Sequence, residues 1–279
     1  MIGIPRNFLA NRVLSFCLAA FIVPGLVTGQ VATAQAFQLL SHRAIYELSL
    51  LPGRGGDISG VTGRMVLEWA DACEGYTTQQ RMVMRLVSGE GKQIDSDFRL
   101  SSWEDKSGES FRFDVRTAFG KATPEVIKGR ATRSGVSGKV EFQKPDGLSL
   151  KLPRGVVFPS EHIGRLIDKA LAGESRMALP VFDGTGKDGL FETVGLVLGP
   201  DAKKTAADDI LAKGKMPLVP AWRVRLSFFD YNTGDSLPSY EVSLRLFANG
   251  VADRLVLDYS DFAVVGTLKD FTILEGAGC

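Results

Sequence analysis

Few side chains in this 279-residue sequence have the types and spacing that catalysis needs. Asp95 and Asp97 fall on one face of a predicted strand, where paired carboxyl groups can act as general acid and base. The alternative is that they belong to a solvated outer face. Ser160 and His162 offer a nucleophile and a base, but near neighbours on a helix point in different directions. We interpret Ser160 as the N-cap of a helix instead.

Metal and phosphate sites have equally few candidates. The sequence contains two histidines, His42 and His162, so an imidazole or thiolate site would lack ligands. We expect His42 to begin the first strand, with its ring bonded to a neighbouring loop. Asp258 and Asp261 are too few carboxylates for a calcium loop, and the dispersed glycines form no phosphate-binding motif. The sequence therefore predicts no metal and no cofactor.

The N-terminal residues have the pattern of a secretion signal. Residues 1–34 contain two arginines and no acidic residue, then an apolar run over 13–27, then small residues at Ala32 and Ala34. The run is shorter than the roughly 20 residues of a membrane-spanning helix. We expect cleavage after Ala34 and export of residues 35–279 across one membrane as a single domain.

Cleavage would change both the charge and the cysteine content of the chain. The formal net charge falls from +1 to −1, which gives no field to attract nucleic acid or anionic lipid. Cys17 leaves with the signal, so Cys73 and Cys279 remain, and an oxidising compartment would join them. Their separation of 206 positions favours a structural disulfide over a Cys-x-x-Cys redox motif.

Alternation of apolar and polar residues dominates the mature sequence. It predicts antiparallel strands with one dry face and one wet face, and is clearest over residues 81–86, 111–116, 148–152, 222–228 and 242–246. Asp-Gly and Asn-Gly pairs between such runs favour tight hairpins. Sequential hairpins predict a long antiparallel meander. It must curl to cover its single apolar face, which gives a spiral or an incomplete barrel.

One or two short helices complete the predicted fold. An apolar stripe at helical spacing begins after Ser160 and ends before Gly173. Its members are Ile163, Leu166, Ile167, Ala170 and Leu171. A second short helix is expected around Ile210, inside a polar surface excursion.

Aromatic residues on the predicted strands are the remaining candidates for binding. A curled sheet with an aromatic face can hold an acyl chain or a hydrophobic peptide. The alternative is that these rings pack against one another and against the helix. The candidate lining residues are Trp69, Trp103, Phe111, Phe113, Phe142, Trp222 and Phe228.

Several short stretches, spread over nearly the whole mature chain, form a recognisable set. They are residues 41–46, 63–66, 73–78, 158–162, 258–262 and the terminal Cys279. This set resembles the cell-envelope integrity protein B family of periplasmic proteins from Gram-negative bacteria. The resemblance implies an antiparallel sheet wound into a β-spiral, closed by one disulfide, in the periplasm. It also implies a role in maintaining the cell envelope and no established catalytic residues.

Two functions from different classes remain open at this point. The first is a noncatalytic periplasmic factor that maintains envelope integrity by binding an envelope protein or a lipid-like molecule. Such a factor would use the concave face or an open edge of the sheet. The second is a periplasmic hydrolase acting on envelope polymers, with Asp95 and Asp97 as its candidate carboxyl groups.

The disulfide prediction can be tested directly. Cys73→Ser or Cys279→Ser should lower the free energy of unfolding, by up to about 5 kcal/mol from the entropy of the closed loop. Denaturant unfolding of the oxidised proteins measures this loss. In excess reducing agent, wild type and variants should unfold at the same denaturant concentration. Equal stability under oxidising conditions would show that no structural disulfide joins the two cysteines.

Overall fold

Antiparallel β-structure dominates the part of the chain that the computed structural model describes, residues 38–135, 137–276 and 278. The predicted fold class, mainly β with two short helices, is confirmed. No helix within these ranges is long and apolar enough to cross a membrane. The elements in chain order are β1 (His42–Leu50), β2 (Ile58–Asp71), β3 (Gly75–Ser88), β4 (Gln93–Asp105), β5 (Ser110–Phe119), β6 (Glu125–Ser134), β7 (Ser137–Lys144), β8 (Ser149–Leu152), α1 (Pro159–Leu171), β9 (Arg176–Phe182), β10 (Leu190–Pro200), α2 (Ala206–Lys213), β11 (Ala221–Asp230), β12 (Tyr240–Phe247), β13 (Ala252–Asp258) and β14 (Ala263–Ile273).

All fourteen of these strands belong to one sheet, in the order β8 down to β1, then β14 down to β9. The sheet therefore consists of two meanders, β1–β8 and β9–β14. They are joined where β1 pairs with β14, from His42 opposite Ile273 to Leu50 opposite Val264. Hairpins predict the pairing within each meander. The union of the first strand with the last leaves β8 and β9 as the two edges of the sheet.

The sheet curls until strands from its two ends pack together. On β5, the rings of Phe111 and Phe113 have centroids 6.3 Å and 5.5 Å from that of Phe182 on β9. Phe158, which precedes α1, stacks on Phe111 at 5.1 Å. These buried rings fill one end of the interior and give a nearly closed barrel, as a long meander with one apolar face requires.

Helix α1 begins two residues earlier than the sequence predicts. Phe158 is its N-cap residue, and Pro159 occupies the first helical position, where a missing N–H leaves no hydrogen bond unmade. The predicted capping role of Ser160 is therefore wrong, because Ser160 lies inside the first turn. Most of the apolar stripe faces inward: Leu166 and Ile167 are buried in a cluster with Trp222, Val224 and Leu226 of β11. Leu171, at the end of the helix, is 59% exposed.

Helix α2 is held to the sheet by an ion cluster with a buried centre. Arg245 on β12 and Asp253 on β13 make two hydrogen bonds of 2.7 Å and 2.5 Å, and their side chains are 2% and 0% exposed. Arg245 also lies 3.1 Å from the carboxylate of Asp208 in α2. The helix includes Ile210, as predicted, and buries Leu211 in the core.

Removing one partner of this buried pair should be costly. Asp253→Asn leaves the guanidinium of Arg245 in the interior without its main counter-charge. We expect the free energy of unfolding to fall by about 3 kcal/mol, measured by urea denaturation. Asp95→Asn is the matched control, because it breaks an exposed arginine–aspartate pair. Equal, small effects of the two variants would contradict the assigned role of the buried pair.

Candidate ligand-binding pocket

An apolar pocket of about 250 Å³ lies between the central strands and the first turn of α1. Its walls come from β1, β2, β3, β12 and β13, from the turn between β12 and β13, from Leu39 before β1, and from the start of α1. None of the described residues that line it is Asp, Glu, Lys or Arg. The main apolar contributors are Leu67, Trp69, Ile163, Leu244, Leu246 and Leu255. The site is therefore suited to an uncharged, largely apolar molecule.

Strand register explains how the pocket wall is assembled. On β1 the buried residues alternate, and the pairing with β2 places His42 opposite Trp69 and Ala44 opposite Leu67. Directly opposed residues in an antiparallel pair project from the same face of the sheet. Further along the strand, the hydroxyl of Tyr46 donates a hydrogen bond of 2.7 Å to the carbonyl oxygen of Ala252. Burial, with the nearby charge of Asp253, raises the pKa of Tyr46, so this hydroxyl keeps its proton.

A buried carboxyl group from β4 fixes the start of α1 beside the pocket. Glu104 accepts hydrogen bonds from the backbone N–H groups of Ser160 and Glu161, at 2.7 Å and 2.8 Å. It thereby satisfies two of the donors that every helix N-terminus leaves free. Burial raises the pKa of Glu104 to about 7, although the two backbone hydrogen bonds favour the charged form. The indole N–H of Trp69 donates to the Ser160 hydroxyl at 3.3 Å and links the helix to β2.

The structure does not bring Ser160 and His162 together as a catalytic unit. The Ser160 hydroxyl is bonded to Trp69, whereas Nε2 of His162 lies 3.1 Å from the hydroxyl of Thr193. Burial lowers the pKa of His162 to about 4, so its ring is neutral at physiological pH. Both side chains belong to the packing between α1 and the sheet.

Asp95 and Asp97 lie on β4 in ion pairs with arginines. Asp95 contacts Arg85 at 2.8 Å, and Asp97 contacts Arg81 and Arg99 at 2.8 Å and 2.9 Å. Hydrogen bonds from these arginines lower the pKa of both carboxyl groups, that of Asp97 to about 2. Both are therefore ionised at neutral pH, and neither is poised to act as a general acid.

One of the seven aromatic candidates, Trp69, lines the pocket. Trp103 is half-buried and stacks on the guanidinium of Arg112 at 4.5 Å. The others do not line the pocket and pack in two buried clusters, the second of which shares Leu246 with the pocket wall. Phe111, Phe113 and Phe142 belong to the cluster that includes Phe158 and Phe182, and Trp222 and Phe228 belong to the cluster beneath α1.

Of the side chains considered for metal binding, His42 lines the pocket, whereas Asp258 and Asp261 do not. His42 begins β1, and its Nδ1 lies 2.7 Å from the carbonyl oxygen of Leu40. Asp258 forms an ion pair with Arg54 at 2.7 Å. Across the described ranges, no three His, Cys, Asp or Glu side chains gather as a metal site would require.

The predicted disulfide and signal peptide concern residues that lie partly or wholly outside the described ranges. Cys73 occupies the turn between β2 and β3 with a φ of 64°. Cys279 and residues 1–34 are not described. Both interpretations therefore stay predictions.

The matched family agrees with the resemblance drawn from the sequence. A model described as EipB-like matches residues 33–275. The chain belongs to the EipB-like family. A curated relative, the cell envelope integrity protein EipB of Brucella abortus (strain 2308), is 33% identical over 250 residues, which span 88% of this chain and 89% of the relative. The similarity therefore extends over the whole described sheet.

A solved structure supports the same fold for this EipB-like protein. It is the crystal structure of a β-barrel-like protein of the domain of unknown function DUF1849 from Brucella abortus. The two chains are 32% identical and superpose with a TM-score of 0.78, over 86% of this chain and 100% of the other.

Titration of Glu104 should make stability depend on pH. Its pKa is about 7 in the folded chain, against an ordinary value of 4.5, so the folded state binds more protons between these values. The stability contributed by protonated Glu104 is complete below pH 4.5 and is lost as pH rises through 7. Relative to Glu104→Gln, wild type should lose up to about 3 kcal/mol of unfolding free energy between pH 4.5 and 7.5. Urea denaturation of both proteins at several pH values measures the difference between their free energies of unfolding. Both proteins contain the same histidines, so the histidine contributions cancel in this difference. A difference that is constant with pH would contradict the raised pKa.

Proposed function

We propose that this protein is a noncatalytic periplasmic factor that maintains cell-envelope integrity by binding a lipid-like envelope component in the pocket beside α1. The name of the Brucella relative supports the envelope role, since the similarity covers nearly the full length of both chains. The predicted secretion signal supports the periplasmic location.

The observation that carries the binding proposal is the chemistry of the pocket wall. Aliphatic and aromatic side chains line it, and none of the lining residues that the structure describes is Asp, Glu, Lys or Arg. Small-molecule sites are typically concave, mostly apolar and provided with a few polar groups that fix orientation. Trp69 supplies an aromatic wall, and His42 and Asn249 supply polar groups. An acyl chain or a similar apolar segment fits this environment.

The noncatalytic part of the proposal is supported by the ion pairs and hydrogen bonds that the candidate catalytic side chains make. Asp95 and Asp97 are bonded to arginines, and Ser160 and His162 have separate hydrogen-bond partners. A hydrolase acting on envelope polymers needs a nucleophile or a water-activating base that converges with an acid on one cleft. None of these four candidates makes such an arrangement with another.

Native mass spectrometry of the protein purified from periplasm, followed by organic extraction, tests the binding proposal. We expect an added mass that is lost on extraction and identified as a lipid-like species. Ala252→Leu enlarges a residue that lines the pocket, and it should abolish this added mass.

Ala118→Leu on β5 is the control, because it makes the same change outside the pocket. The control should retain the ligand at the wild-type level. In a deletion strain challenged with agents that act on the cell wall, it should also restore growth where Ala252→Leu does not. Retention of the ligand and full rescue by folded Ala252→Leu would overturn the proposal.

A further inference from the structure

The imidazole of His42 presents an unpaired hydrogen-bond acceptor at the pocket. Its Nδ1 lies 2.7 Å from the carbonyl oxygen of Leu40, and because a carbonyl only accepts, Nδ1 carries the ring hydrogen. Burial lowers the pKa of His42 and keeps the ring neutral. Nε2 therefore has a free lone pair. The residue is 3% exposed, and within the described ranges Nε2 has no hydrogen-bond partner.

Asn249 presents a complementary unpaired donor at the same pocket. Its Oδ1 accepts a hydrogen bond from the backbone N–H of Val251 at 3.3 Å, which assigns the other amide atom as the Nδ2 donor. The residue is 8% exposed, and Nδ2 finds no partner among the described residues. A buried donor or acceptor that is left unpaired is costly, so a ligand that pairs with both atoms gains affinity.

The backbone of Leu40, two residues before β1, hydrogen-bonds to the backbone of Asn249 and to the side chain of His42. The backbone N–H of Leu40 donates to the carbonyl oxygen of Asn249 at 2.8 Å, and the carbonyl oxygen of Leu40 accepts from His42. Leu39, the preceding residue, lines the pocket and approaches Gly250 so closely that a Cβ there would lie 2.6 Å from its side chain. The unpaired acceptor and donor thus belong to two lining residues that are linked through Leu40 at one corner of the pocket.

Among the described residues of the wall, only His42 and Asn249 have a buried side-chain polar atom without a hydrogen-bond partner. Tyr46 donates to Ala252, and Trp69 donates to Ser160. The corner formed by His42 and Asn249 is therefore where a ligand's polar end would be recognised. It requires a group that both donates and accepts.

We propose, on the basis of the function above, that the pocket recognises a neutral aliphatic alcohol. Its O–H donates to Nε2 of His42, and its oxygen accepts from Nδ2 of Asn249. A carboxylate has no hydrogen for Nε2 and would be buried without a cation, which is costly. An alkylammonium has no acceptor for Nδ2 and would face no carboxylate in the wall. The volume of about 250 Å³ lies just below the usual range for small-molecule sites, about 300–1,000 Å³, so the site takes a short aliphatic segment.

The specificity is tested with three probes that share a ten-carbon chain: 1-decanol, decanoate and decylammonium. Each is titrated at pH 7.5, below its micelle concentration, into delipidated protein carrying the neutral fluorophore N-phenyl-1-naphthylamine. We expect 1-decanol to displace the fluorophore about tenfold more tightly than either ion. Equal or tighter binding of decanoate or decylammonium would overturn the inference.

Two variants remove the proposed recognition groups one at a time. His42→Phe removes the acceptor, and Asn249→Ser removes the Nδ2 donor but keeps a side-chain oxygen for the turn. Each should weaken 1-decanol binding about tenfold. This loss should be about tenfold larger than any change in binding of the fluorophore, which uses neither group and reports whether the pocket has formed. Asn232→Ser is the control, since it makes the same change in an exposed turn outside the pocket, and it should bind 1-decanol like wild type.

A spectroscopic readout on wild type does not depend on the folding of any variant. The chain has two histidines, so ¹⁵N-histidine labelling of untagged protein gives two rings to follow by NMR. Addition of 1-decanol should shift one Nε2 resonance, absent from the His42→Phe spectrum, and leave the other unchanged. If apolar probes bind but neither resonance moves, the inference fails and the proposed function stands. If neither the fluorophore nor any probe binds, both fail.

Discussion

The pairing of the first strand with the last is the interaction on which the rest of the structure depends. Hairpins alone give two separate meanders, each with a long unpaired edge and an apolar face open to water. The hydrogen bonds between β1 and β14 merge them into one sheet that can curl far enough to pack its ends together. They also create the pocket, because its walls come from both meanders. His42 and Trp69 belong to the first, and Leu246 and Ala252 belong to the second.

The position of α1 reflects a balance between two electrostatic effects on one side chain. The helix N-terminus points its free N–H groups into the protein, where they require acceptors. Glu104 supplies both oxygens, yet its own burial disfavours the negative charge that makes it a good acceptor. The result is a group that titrates near neutrality at the base of the helix. Glu104 directs its oxygens to the helix backbone and is not among the described residues that line the adjacent pocket.

The strands and helices could be predicted because the spacing of their apolar residues matches the spacing of the buried positions in each element. Phe111 and Phe113 alternate with exposed residues, and Leu166 and Ile167 follow a helical stripe. The site was harder to predict because its polar residues look ordinary in sequence. In the sequence, Asn249 followed by Gly250 is typical of a hairpin turn. Only the structure shows that Asn249 also lines the pocket. Glu104 shares the strand phase of Phe98 and Leu100, and a carboxylate at such a position is a usable signal of a buried role. Its partner lies 56 residues away, so only the tertiary fold reveals what it binds.

Closure of the sheet by its first and last strands also determines when the protein can finish folding. A chain that emerges N-terminus first presents β1 more than 200 residues before β14 is available to pair with it. Until then one edge of β1 stays open, and contacts of such long sequence separation form slowly. The pocket is completed late for the same reason, since Leu39 meets Gly250 only after almost the whole chain has emerged. A truncated or stalled product would therefore carry an exposed strand edge and no ligand site. Chaperones and proteases can distinguish such an incomplete chain from the finished protein by binding the exposed strand edge.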